Sequence, residues 1–251
     1  MRIRTSLAVV FLTLVLCSCG FATSSEQFEK GNAFYEAKAY DSAVVVYESI
    51  LESGVESAAL YFNLGNACFR QGDIGHAVLY YLKARRLDPT DQDIADNLEF
   101  AQRFTSVHME GVKLNPIESF FDSLVNPYRL EVLAWVTTAF LALFFIFLTL
   151  RFGLRFQGLA IRAGVIVSLS VLLVMALMTT VKYNTEYLTE RGVVIAEDSI
   201  VRTGPSNNSE KELAAAPGLV VEILSESGDF YNVLFENKRR GWIKKDLVAV
   251  I

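Results

Sequence analysis

The residue types that most often carry chemistry are scarce in this chain and form no catalytic pattern. His76 and His108 are the only two histidines among 251 residues, and neither has the spacing of a zinc ligand or of a base paired with a nucleophile. Asp41, Asp73 and the other carboxylates have no recognisable acid–base partner. Residues 24–127 contain sixteen Asp or Glu against eight Lys or Arg, which disfavours nucleic-acid binding. We therefore expect neither an enzyme nor a cofactor or metal site, unless a partner protein completes a composite active site.

The N-terminus has the form of an export signal. Arg2 and Arg4 precede an apolar run of about ten residues, and small residues follow that run. The run is shorter than the roughly 20 residues that cross a bilayer as a helix. The sequence Leu-Cys-Ser-Cys that ends at Cys19 resembles a bacterial lipobox, which would attach a lipid to Cys19. Three fates of residues 1–22 stay open: lipidation at Cys19, ordinary cleavage, or retention as an anchor.

Two longer apolar stretches, Val132–Leu150 and Ala163–Val181, contain no Asp, Glu, Lys, Arg or His. A helix rises about 1.5 Å per residue, so each stretch is nearly long enough to cross a hydrocarbon core of about 30 Å. We predict membrane-spanning helices at residues 131–151 and 163–182, joined by a basic loop at residues 152–162. A buried helical hairpin of a soluble protein is disfavoured, because its helices would carry a polar stripe.

The distribution of charge predicts how this pair of helices is oriented. Arg151, Arg155 and Arg162 flank or occupy the connecting loop, and no acidic residue lies among them. Short basic loops stay in the cytoplasm, and the basic N-terminus belongs on the same side. Both soluble regions are therefore expected on the periplasmic side of a bacterial inner membrane.

A 34-residue period marks the N-terminal region as a helical repeat. Gly31-Asn32-Ala33 recurs as Gly65-Asn66-Ala67, and Tyr47 recurs as Tyr81. This pattern is similar to that of the tetratricopeptide repeat and predicts an all-α repeat domain at residues 24–104. Two repeats and one capping helix are fewer than the three repeats usually needed for stability. We expect a partner or the membrane-proximal segment to complete the core.

Tetratricopeptide arrays bind partner segments along the face formed by the first helix of each repeat. The carboxylate-clamp form of this domain uses basic residues where Phe28, Asp93 and Asn97 stand here, so capture of an acidic chain terminus is disfavoured. The asparagines on this face could hold an extended backbone or bond one helix to another, and both interpretations stay open. The predicted partner-binding residues are Phe28, Asn32, Tyr35, Phe62, Asn66 and Phe69.

A linker at residues 105–130 follows the repeats and contains an amphipathic segment. Ile117, Phe120 and Leu124 stand at helical spacing in this segment. The pattern predicts a helix that lies in the membrane interface or, alternatively, packs on the repeat domain.

The pattern changes to short strands from residue 191 onward, which predicts a small all-β barrel. Gly, Asn, Ser and Pro separate the strands. The five predicted strands are Val193–Ala196, Ile200–Arg202, Val220–Leu224, Tyr231–Phe235 and Gly241–Ile243.

Several of these strand sequences, including Val201-Arg202-Thr203-Gly204-Pro205 and Gly241-Trp242-Ile243, resemble the bacterial SH3-like domain across residues 191–251. The resemblance implies structural roles for the arginine and the glycine-proline turn, and a tryptophan packed into the barrel. Some relatives bind cell-wall peptides and others mediate protein contacts, so the ligand stays open, particularly because Ala216-Pro217-Gly218 departs from the usual turn. The motif residues are Arg202, Gly204, Pro205, Tyr231 and Trp242.

The full order of parts resembles the BatE family of the bacterial aerotolerance (Bat) operon, most specifically in residues 61–98. The resemblance implies a non-enzymatic membrane component that assembles with other Bat proteins, some with von Willebrand factor A domains, in oxygen or stress tolerance. The leading hypothesis is an adaptor that binds protein partners outside the cytoplasm. The alternative is a peptidoglycan-binding membrane anchor or sensor that acts through the SH3-like domain.

Overall fold

The structure is a computed structural model that describes residues 25–106, 128–156, 158–184, 188–197 and 199–251. These residues form a helical region, a pair of long apolar helices and an antiparallel sheet. The predicted export signal with Cys19 and most of the predicted amphipathic linker lie outside the described residues.

The predicted helical repeat region is confirmed. Ser57 begins one helix by accepting a hydrogen bond on its side chain from the backbone N–H of Leu60 at 3.1 Å, and Gly72 ends that helix with φ of +90°. Asp73 begins the next helix in the same way, accepting from the N–H of His76. The helices are α1 (residues 25–36), α2 (Tyr40–Glu52), α3 (Ala58–Gln71), α4 (Ile74–Leu87) and α5 (Gln92–Ser106).

Each repeat closes where a tyrosine ring lies directly on a glycine. A Cβ atom at Gly65 would lie 2.7 Å from Cδ1 of Tyr81, and a Cβ atom at Gly31 would collide with Tyr47 in the same way. Both tyrosines are buried. The 34-residue period therefore reflects close helix packing at Gly31 and Gly65, where only a residue without a Cβ atom leaves room for the tyrosine ring.

The two long apolar helices are α6 (Leu130–Leu148), which a π-helical turn extends to Gly153, and α7 (Leu159–Tyr183). Their 24 and 25 residues make them long and apolar enough to cross a membrane. Gly164 lies against the ring of Phe147, and the Thr137 and Thr179 hydroxyls are 2.9 Å apart. The second helix begins at Leu159, before the predicted stretch at 163–182, so it includes part of the predicted basic loop.

The C-terminal region is an antiparallel sheet that stays open, and the prediction of a closed barrel is wrong. The strand order is β3-β2-β6-β5-β4-β1-β7, so β3 and β7 are the two edges among the described strands. Neither edge strand was predicted: β3 has a sequence poor in β-branched residues, and β7 has three residues. The strands are β1 (Arg191–Val194), β2 (Ser199–Arg202), β3 (Lys211–Ala215), β4 (Val220–Ser227), β5 (Phe230–Phe235), β6 (Arg240–Lys244) and β7 (Val248–Val250).

The end of the sheet that carries β1 and β7 packs on the repeat helices. Val193 and Val194 are both fully buried, although they point to opposite faces of β1. Val194 belongs to the core of the sheet, whereas Val193 belongs to the core of the helical repeats. Four partly buried side chains extend this shared apolar seam along the same side of the sheet: Ile195, Val220, Ala249 and Ile251.

The unusual turn Ala216-Pro217-Gly218 also contacts the repeats. Gly218 has φ of +87°, and a Cβ atom there would collide with Thr105 of α5 and lie 3.3 Å from Ile74 and Val78 of α4. Thr105 is buried beneath this turn. Among the described residues, the sheet thus extends the helical core, a contact that the sequence did not lead us to expect.

The seam gives a sharp prediction at Gly75 of α4, where a Cβ atom would lie 2.6 Å from both Cα and the carbonyl O of Ile195. Helix propensity alone favours Gly75→Ala by about 1 kcal/mol. Because backbone atoms cannot easily move away, we expect instead a net destabilisation of about 1–3 kcal/mol, typical of overpacking. The measurement is thermal unfolding of the full chain in detergent by circular dichroism.

Gly158→Ala is the matched control, because no atom lies within 4 Å of a Cβ at that position. A melting temperature of Gly75→Ala at or above that of the unchanged protein would contradict the close packing of α4 on β1.

Candidate binding groove

The face formed by α1, α3 and α5, which we call the groove, carries most of the predicted partner-binding residues. A cavity of about 210 Å³ opens between α1 and α3. Three of the predicted residues, Asn32, Tyr35 and Asn66, line this cavity. The other lining residues are Glu29, Glu36, Tyr47 and Asn63.

Two of the predicted residues have a packing role. Phe28 lies 5.9 Å from the ring of Tyr47, and Phe62 lies 6.0 Å from the ring of Tyr81, measured between ring centroids. Both phenylalanines pack against the repeat core. They do not line the cavity, because their rings cover the buried tyrosines.

The floor of the cavity is a three-residue hydrogen-bond cluster. The Oδ1 atom of Asn32 accepts from the hydroxyl of Tyr47 at 2.8 Å and from Nδ2 of Asn63 at 2.9 Å. Burial raises the pKa of Tyr47 to about 12, so its hydroxyl keeps the donated proton at neutral pH. The cluster joins α1, α2 and α3.

The same cluster recurs 34 residues later. Oδ1 of Asn66 accepts from the hydroxyl of Tyr81 at 2.7 Å and from Nδ2 of Asn97 at 2.8 Å. The Nδ2 groups of Asn32 and Asn66 donate to no other residue in the described part of the chain, and both side chains are partly exposed. The structure shows the helix-to-helix bonds of the asparagine oxygens. That these asparagines hold an extended backbone through their amide N–H groups stays a prediction.

An exposed aromatic cluster lies further along the groove. Phe69, Phe100 and Phe104 contact one another with ring centroids 5.4–5.5 Å apart. Phe100 is 50% exposed and Phe104 is 52% exposed. The sequence analysis named only Phe69. Applying the 34-residue period to the capping helix would have found Phe100, because it corresponds to Asn66. Phe104 corresponds to Arg70, which is not a predicted residue, so the period does not identify it.

The histidine and cysteine side chains outside the groove, which could in principle be reactive, make structural contacts. His76 Nδ1 lies 2.7 Å from Oδ2 of Asp73, and this hydrogen bond raises the pKa of His76 against the opposing effect of burial. Burial raises the pKa of the Cys68 thiol, which makes it a poor nucleophile. Among the described residues, no group of three or more His, Cys, Asp or Glu could hold a metal ion. His108 lies outside the described residues.

The predicted SH3-like motif residues hold the sheet together at one end. Arg202 donates from Nη1 to the carbonyl O of Ser209 at 2.9 Å, closing the turn that contains Gly204 and the exposed Pro205. Lys245 lies over the ring of Tyr231, with Nζ 5.2 Å from the centroid.

Trp242 departs from the expectation that the resemblance implied. It is only partly buried and alternates along β6 with Gly241 and Ile243, which are buried. Trp242 pairs with Arg202 and Asn232 in the neighbouring strands. Because side chains alternate faces along a strand, the tryptophan lies opposite the core of the sheet and does not fill it.

Comparison with known proteins supports the repeat region specifically. Residues 58–91 match the tetratricopeptide repeat family, a range that contains α3 and α4. No curated protein sequence matches the chain. The repeat supports a role in protein–protein interaction.

The two hydrogen-bond clusters give a matched pair of substitutions. Tyr47→Phe and Tyr81→Phe each remove one hydrogen bond to an asparagine Oδ1 while keeping the packed ring, so each should lower the free energy of unfolding by about 0.5–1.5 kcal/mol. The two losses should add within about 0.5 kcal/mol, because the clusters share no residue. Chemical denaturation in detergent measures them.

Tyr40→Phe is the control, since the Tyr40 hydroxyl makes no hydrogen bond with any described residue. A loss at Tyr40 equal to that at Tyr47 would show that the asparagine contacts contribute nothing.

Proposed function

We propose that this protein is a membrane-anchored adaptor that holds a segment of a partner protein in its groove, without catalysis. The observation that carries the proposal is the repeated asparagine cluster. It supplies unused amide donors from Asn32 and Asn66 on an open face, next to the exposed rings of Phe100 and Phe104. Backbone acceptors and apolar side chains of an extended segment are complementary to such a face.

Anchoring is supported by the length and apolar surface of α6 and α7. The seam between sheet and repeats requires both regions to lie on the same side of any membrane that this pair crosses. The basic residues near the connection favour the cytoplasm for the loop, and therefore the periplasm for the groove.

The order of regions is the basis for proposing a BatE-like role, in which the partners are other Bat membrane proteins, including those with von Willebrand factor A domains, in oxygen or stress tolerance. The matched tetratricopeptide repeat is consistent with this role. Peptidoglycan binding by an SH3-like domain has less support, because the repeat helices cover the turn at residues 216–218 and the end of the sheet that carries β1 and β7.

Partner capture tests the adaptor role. The double substitution Phe100→Ala with Phe104→Ala removes two exposed rings and should reduce capture of the main partner from detergent-solubilised membranes at least tenfold, as expected for the loss of an aromatic anchor worth about 1.4 kcal/mol or more. Quantitative mass spectrometry of the co-purified proteins measures the change.

Val45→Ala is the control, because Val45 is 66% exposed on α2, outside the groove. An unchanged set and amount of partners in the phenylalanine variant would exclude the groove as the binding surface.

The proposed orientation is tested by labelling single cysteines on intact cells. Phe156→Cys reports the connection between α6 and α7, and Asn207→Cys reports an exposed turn of the sheet region. We expect a membrane-impermeant maleimide to label residue 207 and not residue 156, in a background without Cys17 and Cys19. Cys68 can stay, because its thiol is buried. The opposite labelling pattern would place the groove in the cytoplasm.

A further inference from the structure

The cavity between α1 and α3 is polar and acidic. Among the described residues, its charged lining residues are Glu29 and Glu36, which stand seven residues apart and therefore on one side of α1. Neither carboxylate forms an ion pair or a hydrogen bond with another described residue. The remaining lining groups are carboxamides and tyrosines, which can accept or donate hydrogen bonds but carry no charge.

Both carboxylates have an electrostatic effect on the same residue of the cavity, Tyr47. Glu29 and Glu36 each contribute to raising the pKa of Tyr47, in addition to the larger effect of burial. The hydroxyl of Tyr47 lies at the cavity floor, where it bonds to Asn32. Two carboxylates at the edge of the cavity therefore add negative charge close to its floor.

The other end of the groove has the opposite character. Phe69, Phe100 and Phe104 form an apolar surface between α3 and α5, without a carboxylate among them. Arg70 of α3 interacts with the side chain of Tyr35 at the edge of the cavity, but it is not itself one of the cavity-lining residues. The groove therefore has an acidic, polar end at α1–α3 and an aromatic end at α3–α5.

We infer that the groove binds an extended segment that carries a lysine or arginine in the cavity, beside Glu29 and Glu36, and an aromatic or branched aliphatic side chain on the cluster of Phe69, Phe100 and Phe104. Charge complementarity selects the cation, and the unused amide donors of Asn32 and Asn66 hold the backbone between the two side chains. The inference rests on the proposed adaptor function and specifies the chemistry of its partner.

The spacing of the two side chains follows from helix geometry. Neighbouring helices pack about 8–10 Å apart, and an extended chain advances about 3.3 Å per residue. The cavity lies one helix spacing from the aromatic cluster. The basic and apolar residues of the segment should therefore stand about three positions apart.

Selection from a phage-displayed library of random nonapeptides tests this, with the full-length chain in nonionic detergent as the target. We expect enriched sequences to combine Lys or Arg with an aromatic or aliphatic residue about three positions away. In a synthetic copy of the best peptide, replacing the basic residue by norleucine should weaken binding at least tenfold, measured by fluorescence anisotropy.

The double substitution Glu29→Gln with Glu36→Gln should abolish this tenfold preference and leave the affinity of the norleucine peptide unchanged. Glu26→Gln with Glu52→Gln is the matched control, because it removes two exposed carboxylates that do not line the cavity. Loss of the preference in this control as well would attribute the effect to net charge and overturn the inference.

The remaining outcomes separate the inference from the function it rests on. Enriched peptides that lack a basic residue, but lose binding to the Phe100→Ala and Phe104→Ala variant, would overturn the inference and leave the adaptor function standing. Peptides that bind this variant as well as the unchanged protein, or no enrichment at all, would overturn both.

Discussion

The apolar seam between α4 and the β1 side of the sheet is the contact on which the rest of the molecule depends. Two repeats and a capping helix leave one side of α4 without a neighbour, and a sheet whose β1 is apolar on both faces cannot stand alone in water. Val193 and Ile195 satisfy both needs at once. The approach is so close that Gly75 has no room for a methyl group against the backbone of Ile195. The repeat core therefore includes residues of the sheet, although 84 residues separate Ser106 from Arg191.

The seam also determines which surface of the repeats stays available. Each second helix turns one side toward its own repeat, and α4 turns another side toward the sheet, so the open surface is the face of the first helices. This face keeps hydrogen-bonding capacity because each asparagine cluster uses only the amide oxygen of Asn32 or Asn66 internally. Each cluster joins three helices through one amide oxygen and leaves the NH2 group of Asn32 or Asn66 without a partner among the described residues. Packing therefore uses only one end of each of these two side chains.

Patterns within short stretches of the sequence predicted the features that depend on contacts within those stretches. The 34-residue period predicted the repeats because Gly31 and Gly65 each admit a tyrosine ring, and apolar length predicted α6 and α7. Contacts between distant segments were missed. Val193-Val194-Ile195 predicted a strand, but its continuous apolar character also indicated burial on both faces, which the expectation of a barrel obscured. The turn at Ala216-Pro217-Gly218 contacts Thr105, a requirement that no local pattern encodes. The cavity likewise depends on side chains from three helices.

In the proposed membrane-anchored adaptor, the seam further limits how far the groove can lie from the membrane. Seven residues, 184–190, join α7 to β1, and even a fully extended chain of that length spans only about 25 Å. Since the repeats share a core with the sheet, the groove moves with β1 and cannot extend away on the longer connection between α5 and α6. A partner segment must therefore be reachable close to the bilayer surface. Segments that flank the membrane-spanning helices of other membrane proteins on the same side meet this condition, whereas a freely diffusing soluble partner gains nothing from such a placement.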